Sequence, residues 1–156
     1  MKLRRIFLYV FLSFSILYIS VCTYMYIFQR NFLYHPYQNN HLRGEKLNPE
    51  VKEVFVPSTE GITLKSWFYK NPKNTYTVLF FHGNAGELGN RIYKLNELKN
   101  LNLNYLIISW RGFSGNKGNP TEQGLYSDAR SALEWLEKNN ISKNKIILYG
   151  ESLGTG

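Results

Sequence analysis

The run Ile146-Ile147-Leu148-Tyr149 passes without a break into Gly150-Glu151-Ser152-Leu153-Gly154, and this stretch limits the fold more tightly than any other. Four apolar, β-prone residues with no polar alternation read as a parallel strand buried on both faces. A G-x-S-x-G turn at the end of such a strand sends the chain sharply from strand to helix. The serine at its centre, Ser152, is forced into left-handed backbone, which lifts its hydroxyl clear of the sheet. Gly150 and Gly154, two positions to either side, let strand and helix cross without a Cβ clash. By itself the pattern has a second reading, a glycine-rich turn whose serine only caps the next helix.

A second apolar run, Thr77-Val78-Leu79-Phe80-Phe81, ends in His82-Gly83-Asn84-Ala85-Gly86. In serine hydrolases built on such a sheet, the loop after the third strand supplies one oxyanion-hole N–H. The residue after the nucleophile supplies the other. Here those donors are the backbones of Asn84 and Leu153, and Gly83 and Gly86 let the loop turn tightly toward a substrate carbonyl. His82 has two readings, a side chain that orients this loop and a catalytic base. The first is preferred, because a base must sit beside Ser152 whereas a residue at this corner faces the loop's own backbone. Phosphate binding is disfavoured: Gly83, Gly86 and Gly89 space as G-x-x-G-x-x-G, not G-x-G-x-x-G, and no Gly-Lys-Ser/Thr follows.

With these motifs in place, residues 31–156 resemble the front half of an alpha/beta-hydrolase, of the membrane-anchored branch labelled serine aminopeptidase-like or abhydrolase-domain proteins. The resemblance is carried by Asn31-Phe32-Leu33-Tyr34-His35-Pro36, by Phe81 to Gly86, by Arg111-Gly112-Phe113, by Gly124 to Arg130, and by Leu148 to Gly156. It implies an α/β fold with a mostly parallel sheet, antiparallel first strands and strand order 1-2-4-3-5-6-7-8. It also implies that an acid and a histidine follow the serine in chain order. One position departs from the family, which has glycine two residues after the Arg-Gly pair where this chain has Ser114. Ser114 is a decoy for the nucleophile, since no elbow glycine pair flanks it at the right spacing. The three histidines, His35, His41 and His82, all precede Ser152. The chain is therefore expected to be incomplete, stopping after the fifth strand of the fold and leaving that strand as an exposed apolar edge.

The formal charge of +8 would fit a nucleic-acid partner until it is divided along the chain. Residues 1–52 hold seven Lys/Arg against two Asp/Glu, and residues 53–156 hold twelve against nine. The globular part is only mildly basic and its charges are interleaved, so no nucleic-acid partner is expected. The excess flanks an uncharged run from Ile6 to Phe28, which as a helix spans roughly 34 Å, enough to cross a hydrocarbon core of about 30 Å. Lys2, Arg4 and Arg5 precede it and only Arg30 follows closely, which places the N-terminus in the cytoplasm and the domain outside, in the periplasm or an equivalent compartment. A cleaved signal peptide is the competing reading, disfavoured by the length of the run and the lack of a small-x-small exit. Cys22 follows Val21, the wrong neighbour for a lipid-attachment site, and no second Cys exists to form a disulfide.

The expected organisation is a basic tail over 1–5, a membrane anchor over 6–28, a juxtamembrane linker over 29–52 and the hydrolase half over 53–156. In the linker, Phe32, Leu33, Tyr34 and Tyr37 either dock on the domain or lie at the membrane interface, docking being preferred. Glu53 to Pro57 and Thr63 to Tyr69 alternate as an antiparallel hairpin, and Arg91 to Asn100 spaces Ile92, Leu95 and Leu98 as a helix. Asn104 to Trp110 is a further buried strand. Pro120 is expected in the first turn of a helix carrying Leu125, Ala129, Ala132, Leu133 and Leu136 on one face, with Asp128 and Arg130 solvated or salt-bridged. No cluster of His, Cys or carboxylates has metal-ligand spacing, so neither metal nor cofactor is expected. The reaction implied is hydrolysis of an ester, thioester or amide at Ser152, with acyl lipids or acylated proteins as substrates, by a serine hydrolase whose catalytic acid and histidine lie outside this chain. The alternative is a non-catalytic, membrane-anchored hydrolase-like domain that binds a lipid or protein partner.

Overall fold

The computed structural model describes residues 2–36 and 49–156, which divide into two compact units meeting at the Leu33–Tyr34 bond. Tyr37, His41 and the rest of residues 37–48, half of the expected linker, lie outside the described residues.

The first unit is a single helix, α1 (Lys2–Leu33), long and apolar enough to cross a membrane and without a buried residue. It extends the expected 6–28 span at both ends. No Gly or Pro interrupts residues 6–35, and the Tyr24 ring packs one turn on against Phe28 at 4.7 Å and two turns on against Phe32 at 5.9 Å. The helix ends where Pro36 bars α-helical backbone from the residue before it. Phe32 and Leu33 belong to this helix and are exposed, so of the described linker aromatics only Tyr34 is buried.

Among its described residues the second unit holds seven strands: β1 (His35–Pro36), β2 (Lys52–Pro57), β3 (Thr63–Tyr69), β4 (Thr77–Phe81), β5 (Ala85–Gly86), β6 (Asn104–Ile108) and β7 (Ile146–Gly150). Two helices accompany them, α2 (Ile92–Asn100) and α3 (Glu122–Lys138). The main sheet runs β2-β3-β6-β4-β7, antiparallel across β2-β3 and β3-β6 and parallel across β6-β4-β7. Renumbered within this sheet, the order is 1-2-4-3-5, as the resemblance implied. Strand β6 stops at Ile108, two residues short of the expected Trp110.

Helices on both faces explain why the central strands are apolar without alternation. Leu79, Phe81, Leu106 and Ile108 pack with Leu125, Ala132 and Leu136 of α3. Their neighbours in sequence, Val78, Phe80, Tyr105 and Ile107, pack on the other side with Leu88, Ile92 and Leu95. Among the described residues strand β7 pairs only with β4, and Ile147, Leu148 and Tyr149 are 42%, 61% and 41% exposed, the exposed apolar edge that was expected of this strand.

Helix α3 begins differently from expectation. Thr121 is its cap, accepting the Gly124 N–H at 3.0 Å, so Pro120 lies before the helix and not in its first turn. Asp128 takes the salt-bridged form of its expectation, not the solvated one. It is fully buried, accepting from Arg111 N at 3.0 Å, from Arg111 Nη2 at 2.9 Å and from Ser58 Oγ at 2.7 Å, which ties the β2–β3 turn and the loop after β6 to α3. Arg130 is exposed.

Candidate active site

Central β4 brings the two glycine motifs together, because it pairs with β7 in a register that sets Phe81 opposite Gly150. One residue past the end of β7, the Glu151 N–H donates to the carbonyl of Phe81, the last residue of β4, at 3.0 Å. Ser152 sits at φ 50°, the left-handed region, and is exposed. The elbow is closed so tightly that a Cβ on Gly150 would lie 2.3 Å from Gly154 O, and one on Gly154 would lie 2.2 Å from Phe81 O. No side chain fits at either position. The residues after Ser152 form a single 3-10 turn, Ser152–Thr155.

The His82-Gly83-Asn84 loop lies against this elbow: a Cβ on Gly83 would be 3.3 Å from Glu151 O. The structure thus sets Asn84 on the loop that abuts the elbow and Leu153 directly after Ser152. Asn84 is further held by β1, the two-residue strand beginning one residue after α1 ends. His35 pairs with Ala85, and the His35 N–H donates to Asn84 Oδ1 at 3.3 Å. A cleft of about 440 Å³ adjoins Gly150, Leu153 and Gly154, walled also by Tyr34, Trp110 and Tyr126; Ser152 is not part of its wall.

His82 is completely buried, and both ring nitrogens face backbone. Nδ1 donates to Gly83 O at 2.7 Å, which leaves Nε2 to accept from Trp110 N at 3.4 Å. The Trp110 indole N–H donates to His82 O at 2.9 Å, so the corner is fastened twice. Burial pushes the imidazole pKa from 6.5 down to about 4, helped by the nearby Arg91 charge and opposed by the bond to Gly83. The folded domain therefore keeps His82 neutral while the unfolded chain takes up a proton, and the stability present above pH 6.5 is lost as pH falls toward 4. Urea unfolding is expected to show a loss of about 2 kcal/mol between pH 7 and 5 from this group, and His82→Asn removes that slope.

Ser114 shares the left-handed backbone, at φ 51°, which accounts for the family's glycine there. Its hydroxyl is buried, accepting from Ser109 Oγ at 2.8 Å and Leu88 N at 3.4 Å, and so is closed to a substrate.

Behind the elbow lies a group that sequence reading passed over. Glu151 pairs with Arg91 Nη2 at 3.1 Å and with Lys94 Nζ at 2.7 Å. Burial pushes the Glu151 carboxyl up, but the hydrogen bond from Lys94 and the two cationic charges outweigh it and hold the group below its ordinary value. Arg91 closes a short 3-10 turn (Leu88–Arg91) whose start is fixed by Glu87 N–H donating to Asn90 Oδ1 at 2.8 Å. The signal was faint: Glu151 occupies the variable position of its motif, and Arg91 lies 60 residues away.

The sheet order, the left-handed serine after β7 and the glycine loop after β4 define an alpha/beta-hydrolase, and the chain belongs to that superfamily. It is similar to the alpha/beta hydrolase domain-containing protein WAV2 of Arabidopsis thaliana, 32% identical over 113 residues, 70% of this chain and 37% of that protein. An uncharacterized membrane protein of Saccharomyces cerevisiae, YNL320W, is 31% identical over 142 residues, 87% of this chain and 50% of its own length. Among solved structures, an alpha-beta hydrolase from Vibrio vulnificus superposes with a TM-score of 0.61 at 28% identity, over 69% of this chain and 37% of that one. The chain thus spans half or less of the length of these relatives. No family model matches it.

Proposed function

We propose that the protein is a membrane-anchored serine hydrolase in which Ser152 attacks an ester, thioester or amide carbonyl. The N–H groups of Asn84 and Leu153 hold the developing oxyanion, an effect of about 2.7–4 kcal/mol per donor in related chemistry. The observation that carries this reading is the elbow itself: Ser152 is an exposed serine at φ 50°, flanked by two glycines that no other residue can replace. His82 is committed to backbone, so in this reading the activating base and its acid follow Ser152 in chain order. Turnover of short acyl esters by the gene product read to its natural stop codon tests it. Hydrolysis lost on exposure to a fluorophosphonate is expected, and turnover indifferent to that reagent would contradict the reading.

Residues 6–28 anchor the protein in this reading, with the basic residues 2–5 cytoplasmic and the hydrolase domain on the far side. Support comes from the length and apolarity of α1, the Lys/Arg asymmetry and the naming of the yeast relative as a membrane protein. Acyl lipids and acylated proteins are the substrate classes such an anchor favours. Reporters fused after Pro57 are expected to be active only when they are of the type that works outside the cytoplasm. Activity of a cytoplasmic-type reporter there would reverse the orientation.

A further inference from the structure

We propose that Arg91 is a positioning residue that sets the separation of the two oxyanion-hole donors, an inference that rests on reading Ser152 as the nucleophile. Arg91 is 7% exposed, and its planar guanidinium spans the two arms of the site. Nη1 donates to Glu87 O at 3.3 Å, at the end of the loop that carries Asn84. Nη2 donates to Glu151 Oε1 at 3.1 Å, on the residue directly before Ser152. The loop is also shaped around this group. A Cβ on Gly86 would lie 2.7 Å from Nη1, so this loop glycine leaves room for the fork.

These contacts give the guanidinium a geometric task. Asn84 and Leu153 reach the site on separate segments, one after β4 and one after β7. An oxyanion donor works only when held within a few tenths of an ångström of the forming charge. Arg91 joins the segments through a single rigid group, and its own backbone is fixed where the 3-10 turn passes into α2. A lysine at the same place could not serve, because an ammonium is a point charge without the two-sided fork. Lys94 provides the internal comparison. It pairs with the other oxygen of Glu151 at 2.7 Å and lies 5.9 and 5.8 Å from the centres of the Phe80 and Tyr93 rings, and among the described residues its side chain donates no hydrogen bond to the Asn84 loop.

The test uses the gene product read to its natural stop codon, with ester kinetics and the rate of fluorophosphonate labelling at Ser152 both measured well below the thermal midpoint. For Arg91→Lys, kcat and the labelling rate are expected to fall 10- to 100-fold with KM changed less than threefold. For Lys94→Met, which removes a charge from the same carboxylate but leaves the loop contact, both rates should stay within threefold. Glu151→Gln keeps the size of the side chain and is read like Arg91→Lys should that variant fail to fold. Unchanged rates in folded Arg91→Lys or Glu151→Gln overturn the proposal alone, as does an equal loss in Lys94→Met. Absence of Ser152 labelling in the unmodified protein overturns the reading of the site and this proposal with it.

Discussion

Replacing Ser152 by Ala is expected to lower kcat for ester hydrolysis by about 10⁴- to 10⁶-fold and to leave the fold intact. The size follows from what the side chain supplies. The elbow presents the hydroxyl to solvent at φ 50°, and without it no covalent acyl intermediate forms, which leaves only binding and the oxyanion donors. Alanine adopts the left-handed backbone no more easily than serine but makes no new clash, so unfolding midpoints should agree closely. Ser114→Ala is the paired control. Its hydroxyl is buried against Ser109 and Leu88, so kcat per folded molecule should change less than threefold while stability falls by about 1 kcal/mol. Steady-state kinetics together with urea unfolding separate the two effects.

The largest effect on stability is expected from Asp128→Ala. Both oxygens of this carboxylate are engaged, by Arg111 N, Nε and Nη2 and by Ser58 Oγ, and the Asp128 and Arg111 side chains are 0% and 3% exposed. Removing the acid leaves a buried guanidinium whose remaining acidic partner is Glu60 at 3.4 Å, itself 74% exposed. Breaking a buried pair from one side costs about 3–5 kcal/mol, far more than the pair contributes relative to an apolar replacement, because a charge is stranded. Arg130→Ala, two positions along the same helix but exposed, should change stability by less than about 0.5 kcal/mol. Urea unfolding of the two variants side by side measures the contrast.

Asp128 also shows what the sequence displayed and what it withheld. Helical spacing puts it three residues after Leu125 and four before Ala132, on the buried stripe, so the period itself marked it as an inward residue. Its charge argued for solvent, and its partner came from a loop 17 residues earlier that no local pattern connects to it. The sheet was more legible. Unbroken apolar runs at Thr77–Phe81 and Asn104–Ile108 declare strands covered on both faces, and the alternation in β2 and β3 declares a hairpin. The elbow was legible because its constraint is local: only glycine tolerates the backbone contacts made at 150 and 154. The Arg91–Glu151 pair was hidden for the opposite reason, since a long-range ion pair leaves no periodic trace. Phe32 and Leu33, read as linker, form the last turn of α1, because aromatic content alone does not distinguish a linker from the end of a helix.

The central claim is that one serine, fixed by one elbow, carries the chemistry. Its most direct test is to treat the gene product, read to its natural stop codon, with a fluorophosphonate and locate the adduct by peptide mass spectrometry. The account predicts a single adduct on Ser152, absent from Ser152→Ala. An adduct on Ser114 or another residue, or labelling that persists in Ser152→Ala, would contradict it.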